Sequence, residues 1–335
     1  MSKHLANSTE KSISVVVPVY NSAQSIPLLC EKLQSILQGI ADHYEVILVN
    51  DGSRDNSWTI VCDNVKTYTF VRGINLMRNY GQHNALLCGI RAAKYTIIIT
   101  IDDDLQHPPE EISRLIDKLE QGYDVVYGTP AHEQHGILRN LASQITKVAL
   151  QSAMGVDTAR QVSAFRVFYT QLREAFADYR SPYVSIDVLL TWATNRFTSV
   201  KVRHEQRKIG VSNYTFKKLV LHALNMITGF STWPLQLASL VGLAFALFGV
   251  LVLVYVIGRY ILQGASVAGF PFLASVIAIF SGAQLFALGI IGEYIARIHL
   301  RTLDRPTYAI RAEAGGDSHP ATHQLNSDNL EEVHT

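Results

Sequence analysis

No Asp, Glu, Lys or Arg occurs between Leu219 and Gly258, and after Arg259 none occurs between Tyr260 and Gly292. A bilayer core about 30 Å thick needs about 20 apolar residues in helical form, so each run is long enough to cross one. Helices are predicted over 235–261 and 270–295, joined by the short link 263–269, which is rich in small residues. The pair reads as a membrane hairpin; a buried helical pair in a soluble protein is the alternative. The flanking charge favours the membrane. Lys217 and Lys218 precede the pair, Arg297, Arg301 and Arg305 follow it, and only Arg259 lies near the link. The positive-inside tendency then puts both chain ends, and the large N-terminal region, in the cytoplasm. The apolar stretch 219–230, ahead of Trp233 and Pro234, suits a helix lying at the interface. Glu293, at the cytoplasmic end of the second span, is expected to pair structurally with a basic neighbour. The organisation predicted is a cytosolic domain over 1–214, an interfacial helix over 215–232, two spans within 233–299, and a mobile cytosolic tail over 300–335.

Composition narrows the function classes. A net charge of +1 excludes nucleic-acid binding driven by bulk charge. Charged residues make up 17% of the chain, below the roughly 25% of ordinary soluble domains, as a partly membrane-embedded chain requires. Three cysteines, none in CxxC spacing, support neither a disulfide framework nor a structural zinc site and suit a reducing compartment. The first dozen residues are polar and the first apolar run, Ile13 to Val19, is short and broken by Pro18, unlike a secretory signal.

The N-terminal region alternates strand and helix patterns. Strands are predicted over 12–20, 44–51, 70–77 and 95–104, with helical spacing after each of the first three. Such alternation points to an α/β domain with a parallel sheet.

The strongest local feature is "IITIDDDLQHPPEEI". Faces alternate along a strand, so Asp102 and Asp104 are expected on one side and Asp103 on the other. Two crowded carboxylates are tolerable around a divalent cation, and hard oxygen ligands suit Mg²⁺ or Mn²⁺. Gln106, two residues on, offers a neutral oxygen. A solvated acidic turn is the bland reading; the carboxyl end of a buried strand, where open α/β sheets bind ligands, favours the functional one. Asp51 also ends a strand, in "VNDGSRDNS", and either accepts hydrogen bonds from a base or ribose or simply shapes a turn. "MRNYGQHNAL" places Arg78, Asn79, Gln82 and His83 beside Gly81 at a helix start, an anion-binding or merely capped end.

Charge is uneven. Met1 to Leu138 carries 11 basic and 16 acidic residues, whereas Arg139 to Lys218 carries 13 basic and 5 acidic. This basic half is either a surface next to anionic lipid or a phosphate-binding region. Arg139 and Lys147 share a predicted helix face, and "RHEQRKIGVSNY" packs Arg203, Arg207 and Lys208 before Ser212. Arginine suits bidentate phosphate contacts, from a nucleotide or a lipid head group.

"VVVPVYNSAQSIP", "ILVNDGSRDNS", "RNYGQHNAL", "TIDDDLQHPPEEI" and "RKIGVSNY", in that order and followed by two spans, resemble the family 2 glycosyltransferases that load sugars onto polyprenyl phosphates. That group includes dolichyl-phosphate mannose synthases, bactoprenol glucosyltransferases and undecaprenyl-phosphate aminoarabinose transferases. The resemblance covers Ser12 to Arg305. It implies a GT-A fold, a Rossmann-like mixed sheet, with a nucleotide-sugar donor, a UDP-sugar by likeness to the bacterial members. It also implies Mg²⁺ or Mn²⁺, undecaprenyl phosphate as acceptor, a bacterial inner membrane and a homo-oligomer, a tetramer in several relatives. By the same resemblance Pro18 and Tyr20 flank the base, Asn21 adjoins it, and Asp51 reads base or ribose with Asn50 beside it. Asp102, Asp104 and Gln106 match the metal and diphosphate site, with Asp102 and Asp103 also among the nucleotide contacts. Arg207, with Ser212, matches a phosphate-binding segment, and Arg139 an arginine near the acceptor phosphate. Asp104, Arg139 and Arg207 are the expected catalytic set.

The chain departs from the family pattern at Ser22, usually Glu; at Asn213, often Lys; at Pro130, Arg in mannose synthases; and at Ala164, Asp in some members. A phosphate nucleophile is largely ionised near neutral pH and needs no general base, so the missing Asp leaves inverting transfer possible. A catalytically inactive nucleotide-sugar binding or scaffold protein is the alternative. A polysaccharide-extruding synthase is disfavoured by having only two spans and no QxxRW-type motif.

Overall fold

The computed structural model describes residues 10–130, 162–181, 183–205, 233–263, 269–303 and 305–316. Arg139, Arg207, Ser212, Asn213 and the expected interfacial helix lie outside them.

The strands are β1 Ser12–Val19, β2 His43–Asn50, β3 Val71–Leu76, β4 Ile97–Thr100, β5 Val125–Pro130, β6 Arg166–Tyr169, β7 Phe197–Val202 and β8 Ile310–Ala314. They form one sheet in the order β7-β5-β6-β4-β1-β2-β3-β8. Strands β4, β1, β2 and β3 run parallel; β6 is antiparallel to β4 and β5, and β8 is antiparallel to β3. The sheet is thus mixed, where local alternation alone predicted a parallel one.

The helices are α1 Ile26–Ile40, α2 Ser57–Thr67, α3 Gln82–Ala92, α4 Ile112–Glu120, α5 Ile186–Thr191, α6 Trp233–Gln263 and α7 Phe270–Thr302. Period-two strands bury both faces. Val15, Val17 and Val19 of β1 pack with Leu29 and Leu33 of α1 and Leu115 of α4. Val16, from the same strand, joins Leu86 and Ile90 of α3 and Leu189 of α5. Helices α1 and α4 therefore cover one face and α3 and α5 the other, leaving the carboxyl ends of β1, β2 and β4 open at one edge.

Strand β4 ends at Thr100 rather than continuing through Asp104. Asp102–Asp104 lie in a turn in which Leu105 adopts φ +59°. Strand alternation therefore does not govern these three side chains, and all of them line one cavity.

Helices α6 and α7 are long and apolar enough to cross a membrane, and their apolar stretches Leu235–Arg259 and Ile279–Leu300 are not packed inside the protein. They leave Leu251 68% and Leu285 68% exposed, which suits lipid and not the interior of a soluble protein. Phe245 meets Phe280 edge-on at 5.8 Å, and Gly249 makes room, since a Cβ there would sit 3.0 Å from the Phe280 ring. Helix α7 runs past the expected end at 295, stitched by the Glu293–Arg297 pair at 2.9 Å.

Part of the tail expected to be mobile from 300 on, residues 305–316, returns to the sheet as β8. Its alternation, Ile310-Arg311-Ala312-Glu313-Ala314, satisfies the open backbone edge of β3. This period-two pattern was the available signal.

Candidate active site

At the open strand ends lies a cavity of about 1020 Å³. A second cavity, about 400 Å³, is lined by Lys94, Tyr95, Thr96, Tyr169, Thr170 and Gln171 and carries no carboxylate. The larger one gathers the chemistry. Pro18 is the penultimate residue of β1, and Tyr20 and Asn21 follow that strand; Asp51 and Arg54 follow β2; Asn79 and Gly81 follow β3; Asp102, Asp103, Asp104 and Gln106 follow β4. Asn50 is not a lining residue: it is buried, and its amide donates to Asn75 Oδ1 at 2.8 Å.

Asp51 holds the loop before α3. Its Oδ1 accepts from the Tyr80 N–H at 2.7 Å and its Oδ2 from the Gly81 N–H at 2.8 Å. Burial pushes its carboxyl up, while those two backbone bonds pull it down. Gly52 makes this approach possible: at φ +63°, a Cβ would lie 2.5 Å from the backbone carbonyl carbon of Arg78. Asn21, at φ +54°, donates its N–H to Ser53 Oγ and accepts the Arg54 N–H. The first two loops are thereby tied together.

Near Ser22, Asp55 accepts from the Ala23 N–H at 3.3 Å and from Ser57 through both its N–H and its hydroxyl. Desolvation pushes Asp55 up, but those bonds outweigh it and hold the carboxyl below its ordinary range. A carboxylate thus stands beside the position where the family pattern has Glu.

In the acidic loop Asp102 Oδ1 accepts from Gln82 Nε2 at 2.7 Å, and Asp104 Oδ1 from the Gln106 N–H at 3.1 Å. Among the described residues no three His, Cys, Asp or Glu side chains converge as a metal cluster. The available donor set is two carboxylates and one amide, which fits a hard cation that completes its shell with water and substrate phosphate. His107, next along, is buried against Phe165 and His204, and burial lowers its imidazole to about 4, so it is neutral at pH 7. Glu205 donates its N–H to Gln106 O at 2.9 Å, and Arg203 pairs with Glu111 at 2.7 Å. The acidic loop is therefore clasped to the segment that follows β7.

Among the lining residues missed from sequence are two charged ones deep in the fold, Arg166 on β6 and Asp187 on α5. A lone Arg inside a buried strand was the signal for the first; a lone Asp in "SPYVSIDVLL" gave none for the second.

A sheet of this order, with an acidic loop and a nucleotide-sized cavity at its strand ends, defines the GT-A class of glycosyltransferases. The same architecture occurs in glucosyl-3-phosphoglycerate synthase from Mycobacterium tuberculosis, solved with Mn²⁺, UDP and glucosyl-3-phosphoglycerate. The match has a TM-score of 0.50 at 18% identity and covers 65% of this chain and 78% of that one. The family description "Glycosyl transferase family 2" matches residues 14–179. The undecaprenyl-phosphate 4-deoxy-4-formamido-L-arabinose transferase of Yersinia enterocolitica is 36% identical over 310 residues, covering 92% of this chain and 95% of the relative. The transferase of the same name from Serratia proteamaculans is 36% identical over 308 residues, covering 91% and 94%. The chain belongs to glycosyl transferase family 2.

Proposed function

We propose that this enzyme transfers a sugar from a UDP-sugar to undecaprenyl phosphate at the cytoplasmic face of a bacterial inner membrane, inverting the anomeric carbon. One observation carries the reading. A single cavity joins Pro18, Tyr20, Asn21 and Asp51 to the acidic loop, in a chain that continues into two lipid-suited helices. The named activity of the relatives and the UDP and Mn²⁺ of the solved neighbour support it.

Asp102, Asp104 and Gln106 would hold Mg²⁺ or Mn²⁺. Bound there, the cation would neutralise charge on the diphosphate leaving group. Pro18 and Tyr20 flank the base, and Asp51 keeps the third loop against the nucleotide while presenting its carboxylate to it. Arg139, Arg207 and Ser212 take the donor and acceptor phosphates, roles that rest on the resemblance. The acceptor's phosphate oxygen, with a second ionisation near 6, attacks without a general base, and the nucleoside diphosphate leaves from the opposite side. Catalysis is then positioning and electrostatics. The division into a cytosolic domain over 1–214, an interfacial helix over 215–232 and a hairpin within 233–299, with both ends cytoplasmic, belongs to the same reading. So does assembly as a homo-tetramer.

The test is transfer by purified protein in detergent with undecaprenyl phosphate, Mg²⁺ or Mn²⁺, and radiolabelled UDP- and GDP-sugars, with and without EDTA. Lipid-soluble label from a UDP-sugar, lost with EDTA, is expected. Label from GDP-sugars alone overturns the donor. No label from any donor, in folded protein that binds nucleotide, favours a binding protein.

A further inference from the structure

Arg297 lies in the last turns of α7, yet its side chain is only 11% exposed. An arginine near the end of a span ordinarily turns its head to water and lipid phosphate. This one turns to protein. Its guanidinium lies 4.7 Å from the centre of the Tyr183 ring, and its Nη2 donates to Glu293 Oε1 at 2.9 Å. With its charge matched by Glu293 and its flat face on an aromatic ring, the side chain is placed to join two parts of the protein, not to bind a phosphate.

Tyr183 belongs to a segment that side chains, not backbone ladders, hold in place. The described residues between Phe176 and Ile186 form neither helix nor strand. Arg91, at the end of α3, donates Nη2 to the carbonyls of Ala177 at 2.8 Å and Tyr179 at 2.7 Å. Tyr179 Oη donates to the Tyr183 carbonyl at 2.6 Å. At the far end the Ile186 N–H donates to His83 Nδ1 at 3.3 Å. His83 and Asp187, on either side of that bond, both line the cavity. Gln82, next to His83, holds Asp102 of the acidic loop at 2.7 Å. The segment therefore supports one wall of the cavity. The chain that leaves α7 reaches it a second time. Thr307 Oγ1 accepts from Arg91 Nη1 at 3.5 Å, and the Tyr308 ring lies 5.9 Å from the same guanidinium. The hairpin thus touches the support at Tyr183 directly, and at Ala177 and Tyr179 through Arg91.

We propose that Arg297 is a positioning residue for sugar transfer: through Tyr183 it makes the cavity wall at His83 and Asp187 follow the seating of the hairpin in the bilayer. A donor bound in the cavity and an acceptor carried by the lipid then meet in register when the hairpin is seated. This rests on the transfer reading above.

The test compares wild type, Arg297→Ala, Arg297→Lys, Tyr183→Leu and Tyr183→Phe in nanodiscs of phosphatidylethanolamine and phosphatidylglycerol. Three quantities are measured: UDP affinity with Mn²⁺, hydrogen exchange across 177–186, and transfer to undecaprenyl phosphate from the UDP-sugar that labels the lipid in wild type. Arg297→Ala and Tyr183→Leu should each speed exchange in that segment and lower kcat about 10-fold, the size of a partly desolvated cation–π contact. UDP affinity and the donor KM should stay within about 2-fold, because the Asp51 and acidic loops are untouched. Arg297→Lys and Tyr183→Phe keep a cation over a ring and should keep most of the rate. The double variant Arg297→Ala/Tyr183→Leu should be no slower than either single one. Unchanged exchange or unchanged kcat in Arg297→Ala overturns the proposal, as do losses that multiply in the double variant. A fall in UDP affinity that matches the fall in kcat marks a general loss of fold and overturns it too. Should Arg297→Ala fail to fold, Tyr183→Leu against Tyr183→Phe decides, since neither alters the helix: equal rates overturn it. A wild type that transfers no sugar overturns the transfer reading, and the proposal with it.

Discussion

Asp104 is the residue on which transfer is expected to depend most. Asp104→Ala removes a carboxylate from the acidic loop while leaving the buried strands untouched, since the loop begins beyond Thr100. A loss of roughly 100-fold or more in transfer rate is expected, with an unchanged circular dichroism spectrum. Full activity in that variant would remove the metal assignment. Glu111 gives a second residue-level expectation. Burial would push its carboxyl up, but bonds from Arg203 and Arg114 outweigh that and hold it below its ordinary value of 4.5. The unfolded chain therefore takes up the proton first as pH falls. The stability this carboxylate contributes is complete above about 4.5 and is lost as pH drops through the lower folded value. In urea titrations Glu111→Gln should be less stable than wild type at pH 7, with the gap narrowing towards pH 3.5. At this scale legibility followed sequence distance. Asp102, Asp104 and Gln106 lie within five positions and could be read together; Arg166 and Asp187 are 21 apart and could not.

Loops and strands set the next constraints. The loop after β2 and the loop before α3 pass so closely that any side chain at residue 52 must displace backbone. Gly52→Ala also forces a left-handed conformation that costs about 1–2 kcal/mol. Lower thermal stability and weaker UDP binding together are expected, measured by differential scanning and titration. A wild-type affinity for UDP would show that Asp51 and its loop play no part in the nucleotide wall. Strand β8 offers a converse test. Truncation after Thr302 leaves the edge of β3 unpaired and removes Tyr308, whose ring lies 5.9 Å from the Arg91 guanidinium. A lower melting temperature and a greater tendency to aggregate are expected by light scattering. Strands β1, β2 and β4 were legible because each contains an unbroken buried apolar run, at 15–19, 46–49 and 97–99, and β3, interrupted by Arg72 and Asn75, because it falls in step with their alternation with helices. Strand β8 is half exposed and follows a membrane helix, so its pattern resembled a polar tail.

Across the whole molecule, the membrane hairpin and the sheet are joined at two places. Arg297 near the end of α7 stacks on Tyr183 at 4.7 Å, four residues before Asp187, and the chain then returns as β8 to the far edge of the sheet. Helix α6, with 31 residues, is about 46 Å long, more than the bilayer core requires, so its ends reach into the interface. The excess of Lys and Arg outside the hairpin predicts both termini in the cytoplasm. A green fluorescent protein fused after Thr335 should fluoresce, and alkaline phosphatase fused there should be inactive; the opposite pair of results would reverse the topology. By itself, the sequence determined the hairpin, the α/β plan and the acidic loop. These depend on local hydrophobic period, absence of charge and residues adjacent in the chain, all of which act before the chain has folded. The tertiary structure alone decided which side chains share the cavity. The turn after Thr100 put all three aspartates on it, β6 and α5 brought Arg166 to Asp187, and β8 closed the sheet edge. Such pairings depend on which strands become neighbours, and strand order is a property of the packed sheet, not of any segment within it.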